Sequence, residues 1–271
     1  SREQRTSLFE ATIGLALMLW VLALPGALVV GFSMGLFGSG GSILTVPILV
    51  YLLGWDEKIA IASSLAIVGL VAFITSLRNL REGNIDWAAV LWFGLPGVLG
   101  TYIGAYVSQF FLGWVQMAVF AVVMAIASVF MIRPLPEGRS AAPQHGKCWV
   151  MIEGLIVGAL TGFVGVGGGF VIVPALMILG GLSMMSAAAS SLVIIAVKSA
   201  AGFIGYQQIL VTTGQSLDWT VIACFVVFGV LGSWYGSVYA EGADQVRLQQ
   251  WFGGSLILMA AWILWRTLLT S

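Results

Sequence analysis

The sequence predicts an all-α polytopic membrane protein of two homologous, inverted repeats, each of about five helical segments with short broken or re-entrant helices at glycine motifs. Three observations predict it. Of 271 residues, 60% are hydrophobic and 8% charged, whereas soluble domains carry about a quarter charged residues. Mean hydropathy is +1.04, and apolar runs long enough to cross a bilayer recur along the chain. The two halves also repeat the same phrases in the same order. A β-barrel would alternate apolar and polar residues with period two. Stretches such as "WVLALPGALVVGF" and "AVFAVVMAIASVFMI" do not.

Apolar segments are expected near 8–37, 42–54, 59–77, 87–107, 114–132, 149–166, 170–182, 186–205, 219–239 and 249–267. The first is read as a helix, because its apolar run outlasts a signal peptide and has no clear small-residue cleavage site. The segments at 42–54 and 170–182 would span only about 20 Å as helices, short of a hydrocarbon core of about 30 Å. Short polar breaks separate the rest, and the longest, Arg133 to Lys147, falls near the middle. The expected division is an N-terminal repeat at 1–132, a cytoplasmic linker at 133–148 and a C-terminal repeat at 149–271.

The duplication is read from spacing. Pro47 and Pro174 stand 127 positions apart, and the same offset aligns Gly31, Gly35, Gly38, Gly40 and Gly41 with Gly158, Gly162, Gly165, Gly167 and Gly168. "ASSL" at Ala62–Leu65 falls on "ASSL" at Ala189–Leu192. After a five-residue insertion the offset is 132, and it pairs "DW" at Asp86 with "DW" at Asp218 and "GVLG" at Gly97 with "GVLG" at Gly229. Ordered matches of this number mean an internal repeat. Loop charge favours inversion: "RNLREGNID" holds Arg78 and Arg81, while "QQILVTTGQSLD" has no Lys or Arg. The positive-inside rule then places the first loop in the cytoplasm and the second outside.

Composition narrows the function classes. The chain has 11 basic and 11 acidic residues, so no basic footprint argues for nucleic acid. Cys148 and Cys224 form no CxxC pair, and the lone His145 lies in the polar linker. No cofactor or metal is expected, nor any nucleophile–base pair. The expectation is a membrane transporter rather than an enzyme. Its partners would be a small anionic substrate and the lipid bilayer, with monomer and homodimer both open.

Two phrases locate the candidate site, "GSGGS" at Gly38–Ser42 and "GVGGG" at Gly165–Gly169. Irregular backbone survives in hydrocarbon only where protein buries it or a wet cavity receives it. Duplicated transporters place such breaks between the repeats, where helix N-termini meet anionic groups. The candidate substrate-binding residues are therefore Gly38, Ser39, Gly40, Gly41, Ser42 and Thr45, with Gly165, Val166, Gly167, Gly168 and Gly169 in the second copy. Ser63, Ser64, Ser190 and Ser191 join them as recurring hydroxyls, with helix glue as the other reading. Lys198 is the one lysine deep in an apolar segment, and its counterpart is Val71. It either meets an anion or snorkels to an interface marked by Tyr206 and Gln207. Arg78 and Asn79 are candidates for a cytoplasmic mouth, and Glu153 for proton coupling or a headgroup-level anchor. "GVLGTYIG" and "GVLGSWYG" read as helix-packing notches.

At these residues the chain resembles the TauE/SafE sulfite exporter family. The likeness covers nearly the whole chain and rests on the doubled glycine phrase ending at Pro47 and Pro174, both "ASSL" segments and both "GVLG" helices. The resemblance implies secondary transport of sulfite or organosulfonates such as sulfoacetate, often as export from the cytoplasm, across a bacterial inner membrane. A passive anion channel on the same scaffold is the alternative. The family's motif glycines would be Gly38, Gly40, Gly41, Gly165, Gly167 and Gly168. Ser39 and Val166 differ between the two copies, so the half-sites are not equivalent. The resemblance assigns no role to Lys198.

Overall fold

The computed structural model describes residues 23–132, 147–178 and 180–270, and every regular element among them is helical. In chain order these are α1 (Ala23–Phe37), α2 (Gly40–Leu52), α3 (Glu57–Glu82), α4 (Trp87–Ser108), α5 (Gly113–Ile132), α6 (Lys147–Val164), α7 (Gly169–Ile178), α8 (Met184–Thr213), α9 (Trp219–Glu241) and α10 (Gln245–Thr270). Five of them, α3, α4, α5, α8 and α9, are long and apolar enough to cross a membrane. The opening segment before residue 23 and the linker with His145 lie outside the described residues.

Local chemistry sets the helix ends. The repeated "DW" is a capping device: Asp86 Oδ1 accepts from Ala89 N at 2.9 Å, and Asp218 Oδ1 accepts from Thr220 N at 3.0 Å. Asp56 caps α3 in the same way through Lys58 N. Hydropathy placed the ends of α3 and α8 near residues 77 and 205, but the helices run on to Glu82 and Thr213. Leu, Arg, Gln and Glu are sound helix formers whatever their polarity. What stops both helices is a left-handed glycine, Gly83 at φ +72° and Gly214 at φ +69°. Pro47 denies α2 a backbone donor, and the turn after it, Ile48–Leu52, is a wider π-turn.

Glycine contacts give the packing directions. On α4 and α6, Phe93, Gly97 and Thr101 meet Gly154, Gly158 and Gly162 in step, so these helices run the same way. On α1 and α9, Leu28 and Phe32 meet Gly232 and Gly236, again in step. The central pair differs. Leu65 lies by Gly202 and Gly69 by Ser199, so α3 and α8 cross in opposite directions. α3 runs with α9, as the pairs Val71–Gly229 and Thr75–Ser233 show. α8 runs with α4, through Ile194–Gly94 and Gly202–Thr101. Each half thus packs its helices mainly on the other half, and α5 lies on α10 where Gly253 meets Met131 and Ile132.

Much of the outer surface is apolar: Trp251 is 72% exposed, Phe110 70% and Leu258 73%. Water would penalise so large an apolar surface, whereas lipid accepts it. The chain is an integral, multi-pass membrane protein.

Candidate functional site

The two glycine phrases become two breaks of different length. After α1 only Gly38 is left-handed, at φ +71°, and α2 starts at Gly40. After α6 the backbone stays irregular through Gly165, Gly167 and Gly168, all at positive φ, and α7 starts at Gly169. A residue with a Cβ resists that conformation, and Ser39 stands at φ −154°. The second break therefore unwinds about half a turn more backbone than the first. The difference lies at Gly40 and Gly41, helical in the first copy, against Gly167 and Gly168, left-handed in the second.

Packing covers the Cα faces of these glycines. A Cβ at Gly40 would lie 2.4 Å from Ser33 Oγ, and one at Gly41 would lie 2.1 Å from Met34 Cγ. At Gly167 it would meet Ser199 Oγ at 2.8 Å, at Gly168 Thr161, and at Gly169 Ser39. The glycines seat each short helix against its neighbours, so any ligand must approach the backbone N–H groups and not the Cα faces. Valine at Gly40 or Gly167 accordingly disturbs packing as well as any site.

The paired serines fasten the breaks across the repeat. Ser64 Oγ donates to Ile61 O at 2.8 Å and lies 3.1 Å from Gly165 O, while Ser191 Oγ donates to Ala188 O at 2.8 Å and lies 3.2 Å from Gly38 O. Each serine belongs to one half and each break to the other. Ser190 Oγ accepts from Asp86 N at 2.8 Å. Ser42 and Thr45 bond back to Ser39 O and Gly41 O within their own turn. Helix glue thus describes Ser64, Ser190 and Ser191.

Among the described residues, the buried polar atoms without a hydrogen-bond partner include Ser39 Oγ, Ser63 Oγ, Ser199 Oγ and Lys198 Nζ. Ser39 and Ser199 flank the second break through Gly169 and Gly167. Lys198 is wholly buried, and its stem lies on α4 at 3.4 Å from where a Gly97 Cβ would stand. Its counterpart Val71 fills the equivalent slot on α9 beside Gly229. The slot takes a valine, and the lysine carries an ammonium beyond it. The helix continues to Thr213 and Tyr206 is itself fully buried, so Tyr206 does not mark an interface. The ammonium does not snorkel.

A small cavity of about 50 Å³ lies between the α3 and α9 C-termini and Gly38, lined by Asn79, Asn84, Met184, Ala188 and Glu241, among others. Asn79 therefore shares a space with the first break. Arg78 forms ion pairs with Glu82 and Glu241, which line the same cavity. Glu153 stands half-buried on α6, one residue from the Gly154 that abuts Phe93 and away from both breaks.

Sequence reasoning missed one cluster. Lys58 Nζ donates to Ser108 O at 2.8 Å and to Gln116 Oε1 at 2.6 Å. Gln116 Nε2 reaches Tyr206 Oη at 2.7 Å and Phe163 O at 2.5 Å, and Tyr206 Oη donates to Phe163 O at 2.9 Å. Gln116 was visible as a lone amide in an apolar run, where a polar group needs a partner.

A helical scaffold with two broken helices suits a permease. The sulfite exporter TauE/SafE family model matches residues 23–263. The chain belongs to the TauE/SafE sulfite exporter family. A Xylella fastidiosa (strain 9a5c) protein named "Probable membrane transporter protein" is 31% identical over 249 residues, covering 88% of this chain and 92% of the relative. Similarly named proteins of Methanocaldococcus jannaschii and Bacillus subtilis (strain 168) are 27% and 25% identical. They cover 69% and 81% of this chain, and 73% and 86% of their own lengths. No solved structure matches. The chain is a membrane transporter and not an enzyme.

Proposed function

We propose that this transporter is a secondary carrier of small anions, sulfite or organosulfonates such as sulfoacetate, exporting them from the cytoplasm between two inverted repeats. The observation that carries the reading is Lys198, whose amine is fully buried without a hydrogen-bond partner in a helix long and apolar enough to cross a membrane. An uncompensated charge there costs several kcal/mol, roughly, and an anionic substrate is the natural compensation. Ser199, the next residue, adds an unpartnered hydroxyl beside the second break. The inverted arrangement is supported by packing directions: α1, α3 and α9 run together, and α6, α8 and α4, their counterparts, run the other way.

The test is a thermal-shift screen of purified protein against sulfite, sulfoacetate, taurine, thiosulfate, nitrite and sulfate. A ligand at a hundred times its Kd stabilises by about 2.7 kcal/mol, so a sulfite or sulfonate anion should raise the melting temperature in a saturable way. Stabilisation by none of the anions overturns the substrate class.

A further inference from the structure

Under the repeat offsets, the open cavity and the missed polar cluster are the same place in the two halves. Leu36, Asn79, Met185, Ala240 and Leu248 line the cavity. Their counterparts are Phe163, Tyr206, Lys58, Ser108 and Gln116. These five are the members of the hydrogen-bonded cluster. Gly38 at the inner end of the cavity corresponds to Gly165, where a Cβ would meet Tyr206 Oη at 3.1 Å and Ile61 Cγ2 at 2.0 Å. A Cβ at Gly38 would meet Ala188, the counterpart of Ile61, just as closely, at 2.4 Å; the halves differ in what lies beyond, the cavity in one and the bonded cluster in the other.

We propose that Lys58, Gln116 and Tyr206 form a polar latch that closes the second half's vestibule while the first half's stands open. This rests on the inverted-repeat reading above. The latch joins the ends of four helices to the side of a fifth. Lys58 comes from the start of α3, the Ser108 carbonyl from the end of α4 and Gln116 from the start of α5. The Phe163 carbonyl closes α6, and Tyr206 belongs to α8. Two of the acceptors are carbonyls at helix C-termini, which lack donors within their own helix, and Lys58 supplies the positive charge favoured there. In the first half the corresponding side chains are Met185 and Leu248, which cannot make such bonds, and Asn79, too short to replace a tyrosine. Exchange between states then requires the latch to part and the cavity beside Gly38 to fill. Because the bonds are made only in the closed arrangement, removing them shifts the population toward the opposite one.

The experiment is cysteine labelling with a membrane-impermeant maleimide in oriented vesicles, in a background with Cys148 and Cys224 replaced by alanine. With the latch intact, Ala188→Cys beside Gly38 should label and Ile61→Cys, its counterpart, should be protected. Tyr206→Phe, which keeps the ring, and the paired change Lys58→Met with Gln116→Leu, which installs residues already present in the first half, should each open the second vestibule. Ile61→Cys should then label from the opposite side about tenfold faster or more, while Ala188→Cys slows. Asn84→Cys and Ser216→Cys separate the two ideas. Labelling of both from one side overturns the inverted arrangement and the latch with it. Labelling from opposite sides, with Ile61→Cys equally protected in folded latch variants, overturns the latch alone.

Discussion

Lys198→Met should lower the affinity for sulfite or sulfoacetate by roughly tenfold to a hundredfold, since each factor of ten is about 1.4 kcal/mol. The ammonium is wholly buried and has no hydrogen-bond partner, and its methylenes occupy a slot that holds a valine in the other half. Its charge is therefore an addition to the scaffold. At an intermediate dielectric, an ammonium a few ångströms from a sulfonate oxygen contributes on the order of a few kcal/mol before desolvation is counted. Methionine keeps the stem's packing and removes the charge. Lys198→Arg should recover part of the affinity, because the charge remains while its geometry changes. Calorimetry on the three proteins in one detergent at one pH makes the comparison. Equal affinity in all three would leave Lys198 a purely structural residue.

The second large effect is on stability. Gly104→Ala places a methyl 2.0 Å from Ala159 O, and Gly236→Ala places one 2.2 Å from Phe32 O. These are the same position in the two halves, each at a helix contact made backbone to backbone. A carbon and a carbonyl oxygen cannot approach so closely, so α6 or α1 must retreat along its length. Overpacking of this kind costs about 1–3 kcal/mol, and more where backbone must move. Both variants should melt well below the parent and lose monodispersity in detergent. Gly254→Ala is the control. It has nothing within 4 Å of its would-be Cβ, and alanine in a helix interior is favoured over glycine by roughly 0.5–1 kcal/mol. If Gly104→Ala and Gly236→Ala melt with the control, the close helix contacts do not hold the fold.

How far the sequence reached can be judged from particular residues. Repeat spacing is preserved in a linear string, so the duplication was legible from Pro47 and Pro174, and the helix notches from "GVLG". The ends of α3 and α8 were not, because hydropathy falls where the helix meets polar surroundings while the backbone continues to a left-handed glycine. Nor was it legible that Ser64 and Ser191 each fasten the other half's break, because that depends on α3 crossing α8. The cluster around Gln116 was hidden for the same reason: Lys58 looked like part of a polar turn, and Tyr206 like an interface marker. Lys198 stood out in both, since a charge in an apolar run is costly wherever the helix is placed.

The most direct test of a carrier for small anions is counterflow. Proteoliposomes are loaded with unlabelled sulfite or sulfoacetate and diluted into a trace of the radiolabelled anion. A carrier that alternates between two vestibules should draw the label in transiently above its equilibrium level, and Lys198→Met should blunt the overshoot. Entry of the label straight to equilibrium without overshoot, or no protein-dependent entry of either anion, would contradict the account.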